Sequence, residues 1–240
     1  GLTQITQAVF SPDGKMLVSS SVQNVIYSLD VMNGYSVSVY DTYSPIEGGD
    51  LAYSADGTAL LMATREGGGG FYSIFPNSDM PDVLLANVSM VVTGMSTMPS
   101  GNLLISSKGA NQMSVLNMAG QNIGSFPVTL DGEMYTLRDG DMTSGCNTFN
   151  PPSVNQCDSY TTFYVNHGPN VSGSDLYSIS YQDGTAILSF ITNVNFEANI
   201  AYNADADLVY FVNKNGSMIR SYHVGTDTFQ ADLPLNGEVD

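Results

Sequence analysis

The sequence predicts an all-β propeller of about five four-stranded antiparallel blades, and two observations support this fold class. The first is a repeated phrase of apolar strand, tight turn and apolar strand, clearest at residues 7–21, QAVFSPDGKMLVSSS. Weaker copies lie at residues 51–64, 96–107 and 200–212. The second is the spacing of the turn glycines Gly14, Gly57 and Gly101, which follow one another by 43 and 44 residues. A period of roughly 40–45 residues with four short strands per unit is typical of propeller blades.

The turn chemistry of the repeat is explicit. Pro12 fixes its own φ, and Gly14 can take a positive φ at little cost, so Ser-Pro-Asp-Gly favours a tight hairpin. No segment keeps an apolar period of about 3.6 residues over three turns, so we expect almost no helix.

The repeat divides the chain into one propeller domain with blades at about residues 4–46, 47–91, 92–130, 131–193 and 194–237. The fourth unit is irregular, and its first strand is predicted near residues 133–137, with Gly140 as its repeat glycine. Residues 237–240 resemble the opening of a further unit at residues 131–134. We therefore expect these blades to belong to a larger propeller and a longer protein.

The phrase FSPDGKMLVSS at residues 10–20 resembles the blade motif of the WD40-like and YVTN-type bacterial β-propellers. The chain has no Gly-His or Trp-Asp dipeptide, which separates it from true WD40 proteins. The resemblance implies that the tight turns line one rim and that partners bind on a face or in the central channel. It also implies an alternative function, because propeller lactonases and phytases hold calcium with carboxylates.

The charge balance excludes whole classes of partner. The chain has 23 acidic and six basic residues, which gives a net charge of −17. Nucleic-acid binding needs clusters of Lys and Arg that this chain cannot supply, and anionic membrane surfaces are disfavoured for the same reason. No run of 18 apolar residues occurs, so we expect no membrane insertion.

Two cysteines, Cys146 and Cys157, lie in the irregular fourth unit, within GCNTFNPPSVNQC. A Pro- and Asn-rich loop has little apolar area with which to order itself, and a disulfide would stabilise it by roughly 2–3 kcal/mol. We therefore predict a disulfide, with two free thiols as the alternative. A disulfide predicts an oxidising location, outside the cytoplasm or on the cell surface.

The insertion at residues 143–160 is the main candidate for a binding feature, because loops grafted on a rigid scaffold often carry function. Its apolar contact groups are Phe149, Pro151 and Pro152. The alternative is a plug or seal between blades. His167 ends a predicted strand and could lie near the central channel.

We expect no cofactor other than calcium, which the sequence allows. Asp139 and Asp141, in Asp-Gly-Asp next to the insertion, are the candidate ligands. The alternating Asn203, Asp205 and Asp207 fit a blade turn better than a calcium loop, because Leu208 and Lys214 stand where such a loop needs Gly and Glu.

These observations favour a non-catalytic binding or structural module of a large extracellular, adhesin-like surface protein. Its partner would be a protein, a glycan or a neighbouring domain of the same chain. A calcium-dependent propeller hydrolase is the alternative, and no residue pattern marks its catalytic groups.

Overall fold

The computed structural model describes residues 2–31, 36–42, 49–64, 69–75, 82–144, 162–167 and 173–235, and all regular structure in these ranges is β-strand. The strands form successive antiparallel blades, which confirms the predicted propeller. No helix in the described ranges is long and apolar enough to cross a membrane.

The first two blades are plain four-stranded meanders. Blade 1 contains β1 (Ile5–Phe10), β2 (Met16–Ser20), β3 (Val25–Asp30) and β4 (Ser36–Thr42). Blade 2 contains β5 (Asp50–Tyr53), β6 (Leu60–Ala63), β7 (Gly70–Ile74) and β8 (Val83–Asn87).

The other three blades follow the same order with additions. Blade 3 contains β9 (Val92–Thr97), β10 (Leu103–Ser107), β11 (Gln112–Leu116) and β12 (Asn122–Leu130), with the short β13 (Glu133–Met134) beside β12. Blade 4 contains β14 (Gly140–Ser144), β15 (Thr162–His167), β16 (Ser174–Gln182) and β17 (Thr185–Val194). Blade 5 contains β18 (Ala198–Asn203), β19 (Leu208–Asn213), β20 (Met218–His223), β21 (Thr228–Phe229) and β22 (Leu233–Pro234).

The repeated turns take equivalent conformations in blades 1 to 3. Gly14, Gly57 and Gly101 have φ values of 84°, 69° and 81°, in the left-handed region that glycine enters without strain. In blade 5 the turn is shifted by one residue, because Asp207 rather than Ala206 takes the positive φ, at 53°.

Blade 1 packs directly on blade 5, so the five blades close a ring. The Ile5 amide donates to the Lys214 carbonyl at 2.8 Å, and the Asn199 side chain donates to the Ile5 carbonyl at 2.8 Å. The buried core forms five apolar clusters, one between each pair of neighbouring blades, including the first and fifth. The expected number of about five blades is confirmed. In this structure no described blade lies between blades 1 and 5, and the larger propeller and longer protein stay predictions.

The fourth blade starts later than the sequence predicted. Its inner strand is β14 and not residues 133–137, and Gly140 begins this strand instead of forming a turn. The residues before β14 form a tight turn at Asp131 and Gly132, with φ values of 53° and 83°. After this turn, β13 pairs with β12. This Asp-Gly hairpin resembles the opening of a blade, which explains the misplaced prediction.

Blades 3 and 4 are also joined at the perimeter. Val128, Thr129 and Leu130 of β12 pair in parallel with Ala186, Ile187 and Leu188 of β17. The two blades therefore form one nine-stranded sheet.

Candidate functional site at the propeller axis

The inner strands of the five blades bring one equivalent position together near the axis. Four of these residues lie three positions before the last residue of their inner strand, and the one of blade 5, where the turn is shifted by one residue, lies four positions before it. We call the set the axial ring. It consists of Gln7, Asp50, Gly94, Asp141 and Asn199. Its four side chains are buried, with at most 5% exposed.

The Asp50 carboxylate connects three blades. Its Oδ1 accepts from the Leu51 amide at 2.7 Å within blade 2, and its Oδ2 accepts from the Met95 amide of blade 3 at 2.5 Å. The same Oδ2 lies 3.5 Å from the Met142 amide of blade 4. A side chain of blade 2 can reach blade 4 only where the blades converge, which places this group at the axis.

The Asp141 carboxylate continues the connection around the ring. Its Oδ1 accepts from the Met142 amide at 2.8 Å, and its Oδ2 accepts from the Ile200 amide of blade 5 at 2.8 Å. The Asp50 and Asp141 side chains are also hydrogen-bonded to each other. Together these two carboxyl groups therefore link blades 2, 3, 4 and 5.

Burial shifts the pKa values of the two adjacent carboxyl groups. Burial raises the pKa of Asp50 well above its ordinary value, and the charge and hydrogen bond of Asp141 raise it further. Burial raises the pKa of Asp141 to about 7, although its hydrogen bonds from Asp50 and from the Ile200 and Met142 amides favour the ionised form. Two buried like charges repel strongly, so burial and this repulsion both favour the protonated form of a carboxyl group at this pair.

Gly94 makes this contact between blades 2 and 4 feasible. A Cβ at this position would lie 2.7 Å from Ser106 Oγ and 2.9 Å from the Met142 amide nitrogen. Since a side chain there would occupy the space above blade 3, its absence lets Asp50 pass over that blade.

The two amide side chains of the ring have structural roles. Asn199 donates from blade 5 to the Ile5 carbonyl of blade 1 at 2.8 Å, and Gln7 accepts from Ser19 at 2.5 Å within blade 1. No charged group occupies either position, so they do not neutralise the carboxyl pair.

A second layer of bonds between blades lies next to the turns. Thr97 donates to the Tyr53 carbonyl at 2.5 Å, and Ser144 donates to the Thr97 carbonyl at 3.0 Å. The Tyr202 amide donates to Thr143 Oγ1 at 3.1 Å. These bonds tie blades 2, 3, 4 and 5 together in sequence, as the axial ring does.

The structure places the two predicted calcium ligands in different surroundings. The Asp139 carboxylate is partly exposed and forms an ion pair with Lys108, whereas Asp141 is 1% exposed at the axis. Among the described residues, no group of three or more His, Cys, Asp or Glu side chains could hold a metal ion. Calcium at this pair therefore stays a prediction.

The remaining predicted site residues fall largely outside the described ranges. Cys146, Cys157, Phe149, Pro151 and Pro152 all lie there, so the disulfide and the loop contacts stay predictions. For His167 the structure gives only the backbone, which ends β15 opposite Ser174.

Sequence reasoning missed Asp50. The available signal was a polar residue three or four positions before the end of the apolar inner strand in four of the five blades, namely Gln7, Asp50, Asp141 and Asn199. It becomes visible only when the blades are aligned on their turns and the fourth blade is started at Gly140.

Comparison with solved structures shows the same fold. The PQQ-bound aldose sugar dehydrogenase of Streptomyces coelicolor is 14% identical and matches with a TM-score of 0.56 over 98% of this chain and 81% of that chain. TolB of Acinetobacter baumannii is 18% identical, with a TM-score of 0.58 over 98% of this chain and 55% of that chain. A nidogen/laminin complex gives 11% identity and a TM-score of 0.55, over 90% and 76% of the two chains.

No family model and no curated protein sequence matches the chain. The chain is a β-propeller repeat protein, and identities this low show the fold alone. A dehydrogenase and a protein–protein complex both occur among its structural neighbours, so the fold does not choose between catalysis and binding.

Proposed function

We propose that this chain is a non-catalytic binding and structural module of a large extracellular or cell-surface protein. It would bind a protein partner, either a separate protein or a neighbouring domain of the same longer chain. The observation that carries the proposal is the apolar character of the propeller perimeter.

The exposed apolar side chains are concentrated on the outer strands. Among the described residues these are Val39 of β4, Val83 and Leu84 of β8, Ile123 of β12, Phe190 of β17 and Phe229 of β21, all 39–58% exposed. Met134 of the short β13 is 57% exposed. Apolar groups at a sheet perimeter favour contact with another protein surface, and a repeat scaffold presents them at regular intervals.

The axial groups support a structural role. The carboxylates of Asp50 and Asp141 accept hydrogen bonds from backbone amides of their own and neighbouring blades. Groups that bind the scaffold in this way hold the blades in register, and they are not directed at a substrate.

The long connection between β14 and β15 belongs to the same proposal. In blades 1, 2 and 3 the first two strands are joined by five or six residues, whereas residues 145–161 separate the paired strands β14 and β15. We propose that this loop, with its predicted Cys146–Cys157 disulfide, is a second contact region on the turn rim. Formation of that disulfide would favour an exported protein.

Site-specific photo-crosslinking in intact producing cells tests the perimeter directly. A photoreactive residue is placed in the full-length protein at position 84 or 123, and at position 22 as the control. Val22 is exposed to 62% but lies in the turn after β2, outside the outer strands. We expect one defined protein adduct from positions 84 and 123 and none from position 22.

Equal labelling at all three positions, or no protein adduct at the perimeter, would overturn the binding proposal. The hydrolase alternative makes a different prediction. In that case the unmodified protein hydrolyses lactones or phosphate monoesters with added calcium, and Asp141→Asn abolishes this activity.

Deleting residues 147–156, with both cysteines replaced by Ser, tests the loop. We expect the blades to stay folded, because none of the described strand pairs includes residues 147–156, and partner binding to fall. Unchanged binding would remove the loop from the proposal and leave the perimeter as the contact region.

A further inference from the structure

We infer that the perimeter of blade 4 binds an arginine side chain of the protein partner, at a site formed by the Phe190 ring, the Asp175 carboxylate and the Asn193 side chain. The inference rests on the proposed function, since it names the kind of residue by which that partner is recognised. It comes from a comparison of two neighbouring blades, one of which fills such a site with its own arginine.

Blade 5 shows how this scaffold holds an arginine. The Arg220 guanidinium on β20 forms two bonds of 2.6 Å with the Asp232 carboxylate, and its Nη1 donates to Asn195 Oδ1 at 3.2 Å. The guanidinium also lies 5.3 Å and 5.5 Å from the ring centres of Phe196 and Phe229. A carboxylate, an amide oxygen and aromatic rings therefore surround this side chain, an arrangement that suits a planar guanidinium.

Blade 4 presents the same three kinds of group on its two outermost strands. Tyr177 of β16 lies opposite Phe190 of β17, with ring centres 5.9 Å apart, and Asp175 lies opposite Asn193. The Asn193 side chain donates to Asp175 Oδ1 at 2.6 Å, and the Tyr177 hydroxyl is 3.5 Å from Asp175 Oδ2. These groups form one continuous patch, in which Phe190 is 58% exposed and Asp175 is half-buried.

No described cation of the chain occupies this patch. Tyr177 is the equivalent of Arg220, because each lies one residue beyond the third-strand position that pairs, through the second strand, with the axial residue of its blade. Blade 4 therefore has a tyrosine where blade 5 has its arginine. Among the described Lys, Arg and His side chains, none forms an ion pair with Asp175.

The open hydrogen-bonding capacity of the patch suits a guanidinium. Among the described residues, Asp175 Oδ2 has only the 3.5 Å contact with Tyr177, and Asn193 Oδ1 accepts no hydrogen bond. A guanidinium has five N–H donors and no acceptor, so it can bond to both oxygens while it lies on the Phe190 ring. The net charge of −17 favours a cationic contact from the partner, whereas a neutral glycan would gain nothing from that charge.

Nuclear magnetic resonance of the chain with isotope-labelled phenylalanine rings tests the site without the partner. The probe is N-acetyl-arginine amide, and Phe190→Leu identifies the Phe190 signal. We expect a saturable shift of this signal and no shift of the Phe229 signal, because Arg220 already occupies the site in blade 5. N-acetyl-lysine amide should bind at least fivefold more weakly, since an ammonium cannot make the planar contacts.

Asp175→Asn keeps an acceptor for the Asn193 amide but removes the charge, and we expect it to weaken binding of the arginine probe at least fivefold. Asp183→Asn is the matched control, because Asp183 is also in blade 4 but lies in the exposed turn after β16. Its φ of 51° is one that asparagine tolerates, so this variant should bind the probe as the wild type does. In each variant an unchanged Phe229 signal shows that the neighbouring blade is folded.

Several results would overturn the inference. These are an unmoved Phe190 signal, equal binding of the arginine and lysine probes, and equal losses in Asp175→Asn and Asp183→Asn. A neutral oligosaccharide that shifts the Phe190 signal when the arginine probe does not would also overturn it, in favour of a glycan site.

Binding of the crosslinked partner separates this inference from the proposed function. We expect Asp175→Asn to weaken partner binding at least tenfold and Asp183→Asn to leave it unchanged. If positions 84 and 123 give the adduct but Asp175→Asn binds the partner as tightly as the wild type, the inference fails and the proposed function stands. If neither position gives an adduct, the proposed function fails, and the inference about its partner fails with it even where the probe binds.

Discussion

The axis and the perimeter of this propeller invert the usual distribution of polar and apolar groups. At the axis, the inner strands bury carboxyl and amide side chains, whereas at the perimeter the outer strands expose Val, Leu, Ile and Phe. Buried polar groups need specific partners, so those at the axis fix the arrangement of the blades. Exposed apolar groups have no such requirement within the chain, which is why we assign them to contacts with another protein.

The hydrogen bonds at the axis and at the perimeter also differ in whether they join different blades. Side-chain hydrogen bonds near the axis pass from one blade to the next, as from Asn199 to Ile5 and from Ser144 to Thr97. At the perimeter most pairing stays inside a blade, and the parallel pairing of β12 with β17 is an exception. Changes at the axis should therefore lower stability, and changes at the perimeter should leave it nearly unchanged.

The largest effect is expected for Asp141→Ala. It removes the carboxylate acceptor of the Ile200 amide and the nearer acceptor of the Met142 amide, which should lower the free energy of unfolding by about 3 kcal/mol. Urea denaturation at pH 5 measures this. The control is Asp139→Ala, which removes a partly exposed ion pair with Lys108 and should cost less than about 1 kcal/mol. Equal losses for the two variants would break the comparison.

The next largest loss of stability is expected for Gly94→Ala, because the new Cβ would lie 2.9 Å from the Met142 amide nitrogen. We expect a loss of about 1–3 kcal/mol, measured by thermal or urea unfolding. Gly124→Ala on the outer strand β12 is the control, since a Cβ there meets nothing within 4 Å. It should be neutral or stabilise by about 0.5 kcal/mol, and a loss as large as that of Gly94→Ala would contradict our account of the axis.

Arg220→Lys tests an intermediate position in blade 5. The guanidinium forms two bonds of 2.6 Å with Asp232 and lies 5.3 Å and 5.5 Å from the ring centres of Phe196 and Phe229. Lysine cannot keep both bonds, so we expect a loss of about 1 kcal/mol in urea unfolding. Lys214→Arg, in the more exposed pair with Glu197, should change nothing measurable. A shift for Lys214→Arg as large as that for Arg220→Lys would show that planar pairing is unimportant here.

The smallest effect on stability is expected for Val83→Ser combined with Leu84→Ser. Both side chains of β8 are nearly half exposed, at 45% and 48%, so the free energy of unfolding should change by no more than about 0.5 kcal/mol. Binding to the crosslinked partner should nevertheless fall at least tenfold. A large loss of stability with unchanged binding would show that these residues serve the scaffold instead.

The sequence predicted the fold well, because the turn glycines are visible at a regular period and their conformation is required locally. It failed in blade 4, where the Asp131–Gly132 hairpin resembles a repeat turn but connects β12 to β13. It found Asp141 for a different reason, as a calcium ligand beside Asp139. The partnership with Asp50 depends on the contact of Asp50 with blade 4, whose Met142 lies 92 residues further along the chain, and on the missing side chain of Gly94, which no local pattern encodes.

The closure of the ring between blades 5 and 1 has a consequence for the folding of this chain. Each blade is built from consecutive strands, so blades can form early from local contacts. The bond from Asn199 to Ile5 instead joins residues 194 positions apart. A contact between residues so far apart in sequence carries a large entropic cost of loop closure. Closure of the ring should therefore be the slow step of refolding. Because no strand that the structure describes is exchanged between blades 1 and 5, these two blades can separate at this seam without unthreading any of the described strands.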